Sequence, residues 1–432
     1  MEASGLIILL VLLGAMATTI PVFLCLFLTS VVGFALFSDI PLIFVVQAVF
    51  RAMDNFALIV VLFFILCGNI MTSGSIVGKL IRLANVTVGW LPGGLAMAGV
   101  LACGMFGAIS GSTVATVVAI GGFMIPALID NHYKEKFALG VMTTAPNLGV
   151  IIPPSISMIL YSMVSACSLE GLFLTGFVPG IFIMAGMCAY CYVWARRNPG
   201  FKTAPAPNIK EFLAAFKDGF WSLMLPVVIF GGIFSGAFTA NEAAVVACVY
   251  ALVVELFIHR TTKVGQVKKL MVNSAVTSAT LLIIVAGATA FGKYLTLKNI
   301  PMQLSEIIVG SISEPWIFLL VINAWLLVVG MFMDIISATL ILTPIFLPML
   351  EQYHINVVHF GLLMTVNLAI GYCTPPLGVS LYITGAMRNK DLIYVSKAVA
   401  PTVLIQIAVL FVMTYWPSAV LWLPRAMGWS VD

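Results

Sequence analysis

Seven consecutive residues, all but one small or hydroxylated, Gly107-Ala108-Ile109-Ser110-Gly111-Ser112-Thr113, sit in the middle of a stretch from Trp90 to Ile129 that carries no charge. A second stretch, Met333-Asp334-Ile335-Ile336-Ser337-Ala338-Thr339, has the same character with one carboxylate added; Ser337 is read as answering Ser110, and Thr339 as answering Ser112, after a one-residue insertion. Beyond each stretch lies a double proline, Pro153-Pro154 and Pro375-Pro376. Each pair removes two backbone donors and clashes with the preceding turn, so nearby carbonyls are freed. Around them lie Asn147, Gly149, Ser155 and Ser157 in one place and Asn367, Gly371, Thr374 and Ser380 in the other. Hydroxyl and carbonyl oxygens without a surplus of carboxylates suit a hard monovalent cation, whereas calcium recruits several carboxylates. Sodium is the natural ion. A helix restarting at such a break also presents unpaired N–H groups and roughly half a positive charge, which attracts an anion. One site of this kind can hold sodium and a carboxylate together.

Architectural readings stand beside these. Ser, Gly and Thr in membrane helices are also close-packing residues, although here the polar stretch and the double proline occur together twice. A carboxylate at membrane depth defaults to function, and Asp334 is read so, with a structural partner as the alternative. Glu242, in Thr239-Ala240-Asn241-Glu242, is read as a helix cap or a gate. His132 and His354 stand beside charged residues and read as surface anchors rather than proton relays.

The elements that must position these groups are membrane helices. The chain is 62% hydrophobic and 8% charged, against roughly 45–50% and about 25% in soluble domains, so it cannot clothe itself in polar surface. Apolar runs at 4–37, 55–72, 90–129, 137–163 and 170–195 reach the roughly 20 residues a span needs, and the succession returns after 220. The first run lacks a basic leader and reads as a retained helix rather than a signal peptide. The eight cysteines lie mostly inside apolar runs and read as small hydrophobes without disulfides; Cys188 and Cys191, with no second pair, do not read as a metal or redox motif.

Sliding the chain by 222 residues places Pro126 on Pro348, Leu128 on Leu350, His132 on His354, Met142 on Met364, Thr143 on Thr365, Gly149 on Gly371 and Pro153-Pro154 on Pro375-Pro376; Gly104-Met105-Phe106 recurs as Gly330-Met331-Phe332. Such a duplication, with Gly and Pro breaking corresponding apolar segments, marks secondary transporters whose site lies at the bilayer midplane. Charge supplies the orientation. With the N-terminus outside and five crossings plus one re-entrant hairpin per half, all Lys and Arg except Arg51, Lys293, Lys298 and Arg425 fall on the cytoplasmic side. An odd number of crossings makes the repeats inverted and both termini periplasmic.

The expected fold is therefore an all-α polytopic membrane protein of two inverted-topology repeats. The first repeat covers 1–200, with its hairpin at about 90–130 and its broken helix at about 137–163. A cytoplasmic linker and interfacial helix cover 201–220, residues 208–219 being the helix. The second repeat covers 221–432, with its hairpin at about 315–350 and its broken helix at about 360–385.

In Gly107-Ala-Ile-Ser-Gly-Ser-Thr-Val-Ala-Thr116, Ala145-Pro-Asn-Leu-Gly-Val-Ile-Ile-Pro-Pro-Ser155 and Gly330-Met-Phe-Met-Asp334, and over nearly its whole length, the chain resembles the large membrane subunit of the tripartite ATP-independent periplasmic (TRAP) transporters. The resemblance implies an elevator-type importer in the bacterial inner membrane. It would be driven by sodium and carry an organic acid of the sialic acid or C4-dicarboxylate type. It also implies a periplasmic binding protein that delivers substrate and a small four-helix membrane subunit, expected here as a separate chain. Partners are then these proteins, the acid and lipid, and no nucleic acid. Carried onto this sequence, a first sodium site uses Ser110 and Ser112 with backbone oxygens around Gly149, Ile152 and Pro154. A second uses Asp334 with Gly371 and Thr374, and Ser157, Thr113, Ser337 and Thr339 face substrate. A stand-alone sodium/anion symporter of related architecture is the alternative. An intramembrane serine hydrolase is disfavoured, because Ser110 lacks the glycine two residues before it that a GxSG nucleophile needs, and neither His132 nor His354 is placed at membrane depth. No enzymatic activity is expected.

Overall fold

Glycine and proline punctuate this chain into helices and little else. The computed structural model describes residues 3–16, 20–56, 58–198, 200, 208–376, 378–429 and 431, and among them there is no strand. The chain begins with α1 (Ala3–Met16), α2 (Val22–Phe37), α3 (Ile43–Met53), α4 (Leu58–Ser73) and α5 (Ile76–Val88). Then come α6 (Gly94–Ser110), α7 (Thr113–Thr116), a π turn at Val117–Gly121 and α8 (Gly122–Asp130). After them run α9 (Glu135–Thr144), a 3-10 turn, α10 (Leu148–Ile151), α11 (Ile156–Ser165) and α12 (Leu169–Arg197). The chain continues through α13 (Ile209–Phe234), α14 (Ala240–Val253) with a π turn to Ile258, α15 (Val264–Leu297) and α16 (Ile300–Ser311). It ends with α17 (Pro315–Phe332), α18 (Ile335–Gln352), α19 (Val357–Gly371), α20 (Val379–Arg388), α21 (Leu392–Tyr415) and α22 (Pro417–Ala426).

Among the described residues, eight helical stretches are long and apolar enough to cross a membrane. Two bent pairs, α3 with α4 at 55° and α9–α10 with α11 at 40°, bring the number to ten if each is one span. The outer surface agrees with that reading, since Leu36, Phe50, Phe123, Phe257 and Trp316 all stand more than half exposed. Large apolar side chains on this scale face lipid rather than water.

Residues 94–130 double back on themselves. Gly111 adopts φ 61°, the left-handed region that a residue without Cβ enters freely, and α6 ends there. The outer ends are tied: Tyr133, just after α8, bonds the Leu95 backbone near the start of α6 and stacks on Trp194. Residues 315–352 are clasped in the same manner, the Tyr353 hydroxyl donating to the Ile312 carbonyl at 2.5 Å while its ring stacks on Phe318.

Local chemistry repeats at the 222-residue spacing. The N–H of Gly111 bonds the carbonyl of Gly107, and that of Met333 bonds Val329. Ser112 caps α7 through Ala115 N–H, and Asp334 caps α18 through Ser337 N–H. His132 and His354 occupy left-handed positions, φ 67° and 52°, just past α8 and α18; the N–H of each following residue, Tyr133 and Ile355, reaches back to Leu128 and Leu350. Both imidazoles are exposed. Their symmetric occurrence thus reflects a helix-ending backbone.

The packing exchanges partners between halves. α14 lies on α4, and α2 lies on α15. A second group gathers around the breaks: α6 against α10, α17 against α19, α9 against α21 and α11 against α18. Two sequence expectations change here. Residues 208–219 are not a separate interfacial helix, because α13 runs unbroken from Ile209 to Phe234; Asp218 is paired with Lys79 at 2.9 Å and Arg82 at 3.1 Å, so the polar face of this segment docks on α5. The boundary at 220/221 falls inside that helix, and residues 201–207 of the expected linker lie outside the described residues. Glu242 closes a capping box with Thr239 at the start of α14, the first of its two readings.

Candidate functional site

The first tip is pressed into the first break. Ser110 Oγ lies 3.3 Å from Thr116 Oγ1, which donates to the Ser112 carbonyl at 2.8 Å. Gly149 must be glycine for this to happen: a Cβ there would stand 2.5 Å from Thr116 Oγ1 and 2.9 Å from the Ser112 carbonyl oxygen. A Cβ on Gly111 would stand 2.6 Å from the Pro154 carbonyl oxygen, and Ile156 N–H reaches back to the Gly111 carbonyl at 3.5 Å. Of the residues read from sequence as a first ion site, Ser110, Ser112, Gly149 and Pro154 are therefore neighbours. Ile152, expected to contribute a backbone oxygen, follows directly on α10, with its side chain toward Gly104 and Gly180. Thr116, inside the motif but not singled out from sequence, is the hydroxyl at the centre. Its signal was legible in principle, four residues after Ser112 and so one helical turn away.

The second tip is built differently. Asp334 is half-buried and spends one carboxylate oxygen on Ser337 N–H at 2.9 Å. Gly371 packs backbone to backbone on Gly330, where a Cβ would stand 2.6 Å from the Gly330 Cα, and Gly378 N–H bonds the Met331 carbonyl at 3.3 Å. The loop after α19 is thus held against the end of α17. The Thr374 hydroxyl, however, is turned back on the Ile370 carbonyl at 2.8 Å, and the Gly371 carbonyl already accepts Thr374 N–H. Among the described residues no hydrogen bond joins Thr374 to Asp334. Pro153 and Pro154 are buried, whereas Pro375 and Pro376 are exposed, so the second break is the open one.

Two pairings inferred from sequence do not survive this geometry. Asp334, not Thr339, stands where Ser112 stands, and Ser337 lies within α18 three residues past the tip rather than opposite Ser110. No insertion is needed, because both turns close with the same backbone bond. Gly330 packs on Gly371 as Gly107 packs on Gly149, whereas Gly104 faces Met184, so the packing role of Gly330 is taken by Gly107, one position off the 222-residue register.

The two tips face each other across a cleft of about 90 Å³. Gly111–Val114 come from one tip and Asp334–Ile336 from the other; Val150, Ile156, Ser157 and Tyr372 close the sides. Thr113 and Ser157, expected at the substrate, are in its wall. The Thr113 hydroxyl is buried without a protein partner, as is that of Ser337 behind the second tip. A buried hydroxyl left unpaired costs free energy unless something else bonds it, so Thr113, which is in the wall, favours a ligand, whereas Ser337 is not in the wall. Thr339 is not in the wall; its hydroxyl bonds the Ile335 carbonyl of its own helix.

Asn147 and Asn367, counted from sequence among the oxygens around the breaks, brace them instead. Asn147 donates to Gln406 Oε1 at 2.8 Å while Gln406 donates to the Thr144 carbonyl at 2.9 Å. Asn367 donates to Asn323 Oδ1 at 2.8 Å, and Asn323 donates to Thr414 Oγ1 at 3.0 Å. These buried networks fasten both broken helices to α21, the second by way of α17. Cys373 links the breaks directly, its thiol 3.3 Å from the Thr143 carbonyl and 3.4 Å from Asn147 Oδ1. Among the described residues no three His, Cys, Asp or Glu gather as a metal centre. The oxygens at the first tip are hydroxyls and carbonyls, the donor set of a hard monovalent ion.

Comparison with known proteins gives these arrangements a context. Residues 7–419 match the family described as tripartite ATP-independent periplasmic transporter, DctM component. The C4-dicarboxylate TRAP transporter large permease protein DctM of Rhodobacter capsulatus is 36% identical over 440 residues, covering 98% of this chain and all of that protein. The isethionate TRAP transporter permease protein DctMQ of Oleidesulfovibrio alaskensis is also 36% identical, over 92% of this chain and 63% of its own greater length. Among solved structures, the YdaH transporter of Alcanivorax borkumensis superposes with a TM-score of 0.66 at 13% identity, over 96% of this chain and 98% of that one, a likeness of fold.

Proposed function

Because this chain belongs to the DctM component family of the tripartite ATP-independent periplasmic transporters, we propose that it is the permease through which a small organic acid, delivered by a periplasmic binding protein, enters the cell on a sodium gradient. The observation that carries this reading is the pair of opposed tips. Each tip starts a helix, α7 after Ser112 and α18 after Asp334, and the residues of both helix starts line the cleft, where the positive end of a helix favours a carboxylate or sulfonate. At the first tip, hydroxyl and carbonyl oxygens crowd the break where sodium would sit, within reach of the same cleft. At the second, Asp334 has a carboxylate oxygen left over from capping. Sodium placed at these oxygens would offset the charge of the incoming acid, which links the two movements.

The cleft argues for a small cargo. At about 90 Å³ it is well below the 300–1,000 Å³ of ordinary ligand pockets, so it accepts an acid of a few heavy atoms more readily than a sugar acid. A C4-dicarboxylate or a two-carbon sulfonate is the favoured class. The halves act as inverted repeats with periplasmic termini, a reading supported by the distribution of Lys and Arg. The helices around the breaks form a moving body against a frame built from α2–α4 and α13–α15. A separate small membrane subunit braces that frame.

Uptake into proteoliposomes tests the proposal. Succinate, isethionate and N-acetylneuraminate are offered with the genomically neighbouring binding protein and small subunit, with and without an inward sodium gradient. Accumulation of one of the two small acids only when all three components and the gradient are present is expected. Uptake by this chain alone would instead make it a self-sufficient symporter, and accumulation indifferent to sodium would remove the coupling.

A further inference from the structure

A second cavity, larger than the cleft, lies beside it. About 470 Å³ opens between α3 and α15 on one wall and α11 and α18 on the other. Arg51 and Lys293, 242 positions apart in sequence, both line it, and Gln47, Thr289 and Thr296 add polar groups beside them. No acidic residue lines it, and neither cation makes an ion pair among the described residues. Two like charges held at one cavity without a counter-ion repel each other, and low-dielectric walls focus their field on whatever enters. The volume falls within the range of small-molecule sites.

The cavity shares its far wall with the cleft. α11 carries Ser157 in the cleft and Met163 in the cavity, six residues or about 9 Å along the helix. α18 carries Ile336 in the cleft and Leu340 in the cavity, four residues or about 6 Å along. These two helices pack on each other, so the two spaces lie in sequence along one seam. By the charge-derived orientation the mouth with Arg51 and Lys293 is the periplasmic one.

Resting on the proposed transport function, we propose that this cavity is a receiving site where Arg51 and Lys293 capture the carboxylate or sulfonate of the cargo before it passes to the cleft. The field of the two cations raises the local concentration of a small anion, and the polar side chains orient it. Because the cations stand on α3 and α15 while the onward path runs along α11 and α18, release from them accompanies any shift between those pairs.

The test reads the cavity directly. Thr296→Cys is prepared in the reconstituted three-component complex and labelled with a negatively charged sulfonatoethyl or a positively charged trimethylammonioethyl methanethiosulfonate, with rates normalised to a free thiol. The anionic reagent is expected to be favoured about tenfold or more, within the range that charge-lined clefts produce. Arg51→Gln with Lys293→Gln brings the ratio toward one, while Arg51→Lys with Lys293→Arg keeps it. The acid that the same vesicles accumulate slows the anionic labelling. Absence of charge preference in the Thr296→Cys protein overturns the proposal, as does lack of protection by a transported acid. Protection by the binding protein without any acid also overturns it, making the surface a protein dock. If no acid is accumulated, the transport reading fails, and the charge preference still reports on the cavity.

Discussion

At the scale of residues, the first tip turns on one hydroxyl. Thr116 holds the Ser112 carbonyl and stands beside Ser110, so it fixes both oxygens relative to Gly149. Thr116→Val keeps the shape and removes the hydroxyl. It is expected to raise the sodium concentration for half-maximal uptake severalfold, as losing about 1 kcal/mol of polar interaction implies, while Thr116→Ser restores it. An unchanged sodium titration in Thr116→Val would remove this residue from the ion site. Gly149→Ala drives a methyl into the same hydroxyl and should abolish uptake at a stability cost of about 1–3 kcal/mol. Uptake and melting of the Gly149→Ala variant check this, and full activity with unchanged stability would show that the break tolerates a Cβ. Gly149 itself was legible from its place before a double proline. Thr116 was harder to see, because nothing about a threonine within an apolar helix says which way its hydroxyl points.

At the scale of elements, helix ends carry the organisation. The π turn at Val254–Ile258 brings a buried Glu255 against the start of α5, where its carboxylate accepts Ser75 N–H at 3.0 Å and Ile76 N–H at 3.2 Å, with the Thr261 hydroxyl also donating to it. His259 sits alongside, its side chain 3% exposed and its Nδ1 3.1 Å from Ser75 Oγ. Burial and, secondarily, Lys79 hold the imidazole below its ordinary value, against the opposing pull of Glu255 and Asp218. A depressed histidine disfavours the folded protein once it must take a proton. Stability should therefore be full above the ordinary histidine range near pH 6.5 and decline as pH falls through it. Melting in detergent at pH 7.5 and 5.5 checks this; His259→Gln should flatten that part of the profile, and an identical decline in the variant would assign it elsewhere. The capping box at α14 predicts a milder outcome, Thr239→Ala costing about 1 kcal/mol of stability with sodium dependence intact. A changed sodium dependence there would restore Glu242 as a gate. The cap was written in Thr239-Ala240-Asn241-Glu242, whereas the docking of Glu255 on α5, 180 residues away, left no local trace.

At the scale of the whole molecule, two groups of helices meet along the 470 Å³ cavity. If the group around the breaks moves against the frame, joining them should stop transport. Gly292 on α15 and Pro344 on α18 are suited to this, since a Cβ on Gly292 would stand 3.8 Å from Pro344 Cγ. Gly292→Cys with Pro344→Cys is expected to lose uptake on oxidation and regain it on reduction, measured on the same vesicles. Full uptake in the oxidised protein would show that the two groups need not part. The helices around the breaks are held across the halves by Glu135, bonded to Lys390 at 2.9 Å and Arg388 at 3.5 Å. These residues, far apart in sequence, fell on one face in the charge-based orientation.

The sequence by itself determined that this chain lives in lipid, that it is punctuated twice in the same way, and that hydroxyls and freed carbonyls gather at those points. Composition, proline and glycine act through solvation and covalent geometry within a few residues, so their consequences can be read without a fold. Only the tertiary structure decided that the Thr116 hydroxyl stands between Ser110 and Ser112, that Asn147 and Asn367 brace the breaks, and that Arg51 and Lys293 share one cavity. Those outcomes depend on contacts between segments tens to hundreds of residues apart, where packing selects among hydrogen-bonding partners that local sequence leaves equally available.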